Sequence, residues 1–272
     1  MKKLPLLFFF ILLAFYATSY AAQTIYKPIT GTLTIRVEDY FNNTHSKTQY
    51  VLHADDETAY KLNFTDKISK HLKSGQRITI NAANINKKDL FVADKNIMIT
   101  KNILPTQLEA PLGRQDTLVM MVNFQDKPNE KPATQTEVGN TVFKTVNDMF
   151  YEFSYRQATV TGNVIGWFTL PINSTESCDV MTNLLPKIAQ QMARNAGVNL
   201  SQYSHLIYFF PRTNSCPWGA LGDLGGNPGS IWLNGVNTGP VTAHEMGHNL
   251  GLYHAHALDC QGAVNTGSCA EL

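Results

Sequence analysis

The stretch TAHEMGHNLGLYHAHALDC, Thr242 to Cys260, decides how this chain is read. Four histidines and one glutamate fall between His244 and His256. A helix can start at Thr238, a fair N-cap, with Pro240 in the first turn, where a missing N–H is no loss. On that helix His244 and His248 are i and i+4, about 40° apart on one face, so two imidazoles can grip one ion. Glu245 is turned about 100° from His244, too far round to be a natural third ligand but near enough to reach a water at the ion.

His254 follows His248 by six residues. On a continuing helix it would lie about 240° round and about 9 Å along, out of reach. The helix must therefore stop first. Gly251 is where it can, because a glycine just past a helix end takes the left-handed conformation that reverses the chain. The pattern His-Glu-x-x-His-x-x-Gly-x-x-His then gives three ligands, His244, His248 and His254, with one position open. That is the donor set of a catalytic zinc site rather than a closed structural one. Glu245 is placed to be the general base. His256 reads as an ordinary loop histidine. Cys260 as a ligand would close the open position.

Working outward, the region upstream of the motif alternates helices and strands. TLVMMVNF (117–124) is a continuous apolar run, as in a strand buried on both faces. NTVFKTVNDMFYEFSY (140–155) spaces Val142, Phe143, Val146, Met149, Phe150 and Phe153 as a helix. QATVTGNVIGWFTLP reads as a strand. VMTNLLPKIAQQMARNAG reads as a helix with Leu184, Leu185, Ile188 and Met192 inward. HLIYFFP and GSIWLNG are further strands. This is an α/β arrangement with a mixed sheet.

Residues 24–104 are different. GTLTIRVEDY, YVLHA, AYKLNF and RITINAA alternate apolar and polar residues, with turn signals between them. Short strands at such spacing predict a small β-barrel or sandwich. No chemical constellation stands out in this region, and His45, His53 and His71 are isolated. Residues 105–114, with Pro105 and Pro111, read as a linker to a domain over 115–272.

The N-terminus has a basic MKK, an apolar LPLLFFFILLAFYA and small residues at Ser19 and Ala21. It predicts a signal peptide over 1–21 and a secreted, periplasmic or extracellular protein with no stable membrane insertion after signal removal. The four cysteines, Cys178, Cys216, Cys260 and Cys269, then favour two disulfides, with pairing open. Asn42, Asn63, Asn173 and Asn199 begin glycosylation sequons, which matter only in a glycosylating host. A formal net charge of +1 gives no electrostatic case for nucleic acid or an anionic membrane surface. Oligomeric state is not legible.

On HEMGHNLGLYHA (244–255) the chain resembles the metzincin zinc endopeptidases. Asn249 after the second histidine and the HA at 254–255 look like the gametolysin family. The resemblance covers roughly 115–272. It implies a metzincin-like catalytic domain with a mixed sheet and an active-site helix, acting on a protein or peptide substrate. It also implies that GSIWLNG (229–235) is the edge strand above the cleft and that WGALGDLGG (218–226) shapes the cleft. The sequence departs from the pattern in two respects. No Met follows His254, so the Met-turn beneath the zinc site is missing, and an incomplete domain lacking its C-terminal subdomain is expected. No Cys lies in 22–177, so a prosegment cysteine cannot hold the zinc. The β region is then a prosegment or an accessory domain. Two functions follow: a secreted zinc-dependent endopeptidase, or a truncated, catalytically inert zinc-binding or adhesion protein.

Overall fold

The computed structural model describes residues 26–40, 46–65, 72–83, 88–101, 111–254, 258–259 and 270–271. The expected signal peptide, most of the expected linker, His45, His71, His256, Cys260 and Cys269 lie outside them. Among the described residues no helix is long and apolar enough to cross a membrane.

The chain opens with β1 (Tyr26–Asp39), β2 (Ser46–Ala54), β3 (Ala59–Phe64), β4 (Arg77–Ala83), β5 (Asp89–Val92) and β6 (Ile97–Lys101). Their alternation puts Leu33, Ile35, Leu52, Leu62, Ile78, Ile80, Leu90 and Val92 into one apolar core. In β1 the alternation stops after Ile35, and Arg36 to Asp39 are all buried. The pairing explains why. Residues 26–32 of β1 pair with β4 and residues 31–39 with β2, while the last four lie between β2 and a strand far downstream.

That downstream part begins with β7 (Gly113–Phe124), buried from Thr117 to Phe124. Then come α1 (Gln135–Asn140), a π-helical segment (Thr141–Val146), α2 (Asn147–Phe153) and β8 (Ala158–Leu170). Next are α3 (Cys178–Asn183), α4 (Leu185–Asn195), β9 (His205–Phe210), β10 (Ala220–Asp223), β11 (Gly229–Asn234) and α5 (Gly239–Asn249). Strands β8, β7, β9 and β11 run parallel, and β10 is antiparallel to β11. Successive residues of β7 face opposite ways. Leu118, Met120 and Val122 join a core with Leu185, Ala189 and Trp232. Val119 and Met121 join another with Val142, Val146, Ala243 and Met246. The molecule is thus mixed α/β, and one 11-stranded mixed sheet runs through it in the order β5-β3-β2-β1-β10-β11-β9-β7-β8, with β4 and β6 off that path.

Several expectations need correction. GSIWLNG is not an edge strand: β11 is hydrogen-bonded to β10 on one side and β9 on the other. The stretch WGALGDLGG, expected to shape the cleft, also supplies the outermost strand of this part, β10, and β1 covers its free side. The helix expected over 180–197 breaks at Leu184, because Pro186 opens a new helix there; Leu184 is 41% exposed rather than inward. The helix at 140–155 starts earlier, behind a capping box at Thr134 and Glu137, and its π-helical segment shifts the register so that Phe153 is 69% exposed. Of the two expected disulfides, Cys178–Cys216 is formed and joins the start of α3 to the loop before β10.

Candidate metal centre

Helix α5 begins and ends where the sequence places it. Thr238 is extended at the N-cap but makes no side-chain capping bond; its carbonyl accepts from the Thr242 hydroxyl instead. At the other end Gly251 has φ +87°. Its N–H donates to the His248 carbonyl at 2.8 Å, and the Leu252 N–H to the Gly247 carbonyl at 3.0 Å. This left-handed cap folds the chain back along the helix and returns His254 to the face that carries His244 and His248. The ring centroids stand 4.7 Å (244–248), 4.9 Å (248–254) and 5.0 Å (244–254) apart.

Outer bonds orient the rings. The Nδ1–H of His248 donates to the Leu252 carbonyl at 2.7 Å, which leaves Nε2 with its lone pair facing the centre. His254 Nδ1 is 2.9 Å from the Ser46 hydroxyl at the start of β2.

A fourth group, not anticipated from sequence, stands at the centre: Asp39, the last residue of β1. Its Oδ1 is 3.0 Å from His254 Nε2, and its Oδ2 is 3.2 Å from His248 Nε2 and 3.4 Å from His244 Nε2. The four residues offer donor atoms that all lie within 4.8 Å of one another, a group that could hold a metal ion. Four-coordinate zinc with bonds of about 2.05 Å has donor–donor edges of about 3.3 Å, so the spacing fits. Burial alone would raise the Asp39 carboxyl, but bonds to His244 and His248 and the charge of His254 and His244 hold it well below the usual range. The only sequence hint was the clustering of Arg36, Glu38 and Asp39 at one strand end.

Glu245 lies beside this centre, fully buried and next to the Asp39 carboxylate. Burial first, and the Asp39 carboxylate second, raise it well above the ordinary glutamate value. Gly222 of β10 makes the space it occupies. A Cβ there would stand 2.8 Å from Glu245 Oε2 and 3.2 Å from His248 Cβ.

Sequence reasoning also missed the brace behind the helix. The Asn249 amide donates to the carbonyls of Asp223 and Ser230, at 2.8 and 3.2 Å. Its Oδ1 is 3.1 Å from Nδ1 of His205, a fully buried ring bridged on its other side to Gln115. These bonds fix the end of α5 to β10, β11 and β9, and through His205 to β7. On the other side of α5 a cavity of about 610 Å³ borders His244, His248 and His254 and takes in Met149, Phe150 and Phe153, which accounts for the exposed Phe153.

Against known proteins, the family described as gametolysin peptidase M11 matches residues 119–261, more than half of the chain, from β7 through all three centre histidines. No curated protein gives a significant match.

Proposed function

The chain belongs to the gametolysin peptidase M11 family, and we propose that it is an exported zinc-dependent endopeptidase. A family of peptidases acts on protein or peptide chains, and the Asp39/His244/His248/His254 group could carry the metal. His244, His248 and His254 hold the zinc through Nε2. When bound, zinc supplies a Lewis acid that polarises the scissile carbonyl and makes water acidic near neutral pH.

The remaining work falls to side chains. Glu245 receives the proton of the attacking water and passes it to the leaving amine nitrogen, so the peptide gains one water across its C–N bond. Burial and the neighbouring Asp39 carboxylate raise its proton affinity, which suits a group that takes up and returns a proton. Gly222 keeps the space open, and Asn249 with His205 holds the helix end that presents His248. An extended substrate pairs with the outer edge of β10 through main-chain bonds, which fixes its scissile bond over Glu245. Export rests on the leader at 1–21, and N-terminal sequencing of secreted protein beginning at Ala22 would support it.

The observation that carries the reading is the convergence of three imidazole donors beside a fully buried glutamate. The test is zinc content together with casein cleavage in the Asp39→Ala background, where the carboxylate at the centre is removed, for that variant alone and with Glu245→Gln or His248→Ala added. Zinc retained with cleavage lost in Glu245→Gln, and both lost in His248→Ala, is expected. Undiminished cleavage by Glu245→Gln would sink the role given to Glu245.

A further inference from the structure

We infer that β1 holds this peptidase latent: Asp39 takes the coordination position that the reacting water needs, and residues 36–39 fill the β10 edge where substrate would lie. The inference rests on the metallopeptidase reading above and adds the regulation of that site.

Two independent features meet here. The first is main-chain. Strand β10 has one free side, and β1 pairs with it antiparallel in the register Arg36–Asp223, Val37–Gly222, Glu38–Leu221 and Asp39–Ala220. The Gly219 N–H adds a bond to the Asp39 carbonyl at 2.9 Å, and the Leu224 N–H one to the Ile35 carbonyl at 2.7 Å. A strand edge has one set of donors and acceptors, so β1 and an extended substrate exclude each other.

The second feature is the side chain. With three histidines as ligands, a zinc site keeps one position for water; a carboxylate in that position closes it. Asp39 is 6% exposed and contacts all three rings at once. No cysteine precedes Cys178, so no thiol of these strands can do the same.

The strand is also anchored. Arg36 is 5% exposed and reaches across to Asp223, to Asn183 and over the Trp232 ring. Beyond it Ser46 touches His254. A strand merely extending the sheet needs neither a buried arginine aimed into the neighbouring part nor a carboxylate on the histidines. Arg36 to Asp39 are buried on both faces because they are seated as an occupant of the cleft.

The test uses the full chain loaded with Co2+, whose visible absorption reports the ligands at the metal. Acetohydroxamate, a small metal chelator, is titrated into the unaltered chain, Asp39→Ala and Asp39→Asn. Asparagine keeps the size of the side chain and gives the same readout if the alanine variant misfolds; far-UV circular dichroism checks both. A probe that needs the open site binds more weakly in proportion to the closed fraction, so the unaltered chain should show at least about tenfold weaker binding than either variant. Equal hydroxamate affinity in all three, with Co2+ bound, overturns the latency and leaves the metallopeptidase reading standing. Failure of Co2+ to bind in all three overturns both.

Discussion

Across the register where β1 meets β10, the Nε–H of Arg36 donates to Asp223 Oδ1 at 3.1 Å, and both side chains are almost fully buried. Nη1 donates to Asn183 at 3.0 Å, and the guanidinium carbon lies 4.8 Å from the centroid of Trp232. One side chain thus ties the N-terminal strands to β10, β11 and α3. Arg36→Ala strands a buried carboxylate and should lower stability by about 3–5 kcal/mol in urea denaturation. Arg36→Lys should recover only part, because an ammonium has neither the fork nor the flat face. A loss in Arg36→Ala below about 1 kcal/mol would mean that the pair is exposed in solution.

Gly222 faces Glu245 directly. Alanine there puts a methyl 2.8 Å from the carboxylate and 3.1 Å from the Glu245 carbonyl, a helix backbone atom that cannot swing aside. We expect about 1–3 kcal/mol of destabilisation and a strong loss of cleavage with the fold retained. Thermal melts, and casein cleavage of Gly222→Ala in the Asp39→Ala background, check both parts; unchanged activity would place Glu245 elsewhere.

Glu245→Gln removes proton transfer and leaves the histidines alone. Measured in the Asp39→Ala background, where the site is open, it should lose at least about 100-fold in cleavage rate. Zinc stoichiometry should not change. Removing the metal with a chelator should abolish the cleavage that remains, and added zinc should restore it.

A fully buried histidine and a half-buried one set a pH dependence. Burial lowers His205 from 6.5 to about 4, partly offset by Asn249; burial, then the charges of Arg36 and Lys187, lowers His53 to about 4. Both folded values lie below the unfolded one, so the unfolded chain takes up protons first as pH falls. The histidine contribution should drop between about pH 6.5 and about pH 4, with His205 accounting for up to about 3 kcal/mol of it. Urea midpoints of the metal-free protein across that window test it. In His205→Gln the slope should shrink; an unchanged slope would assign the effect to other groups.

The motif was readable because everything it needs is local. Helix pitch puts His244 and His248 together, and one glycine returns His254, all within eleven residues. The buried run of β7 and the alternation in β1 to β4 were readable for the same reason. Leu184 and Phe153 were misplaced because a proline and a π-helical segment changed the register inside stretches whose spacing looked continuous. GSIWLNG was set on the sheet edge by resemblance; strand order is not a property of any one strand, and β10 and β1 lie outside it.

By itself, then, the sequence determined three convergent histidines, the helix that carries two of them, the break that recruits the third and a glutamate beside them. Tertiary structure alone decided what else stands at that centre. Asp39 and His248 are 209 residues apart, and no periodicity relates them. Only the pairing of β1 with β10, fixed by long-range main-chain bonds and the buried Arg36–Asp223 contact, brings the fourth donor to the other three.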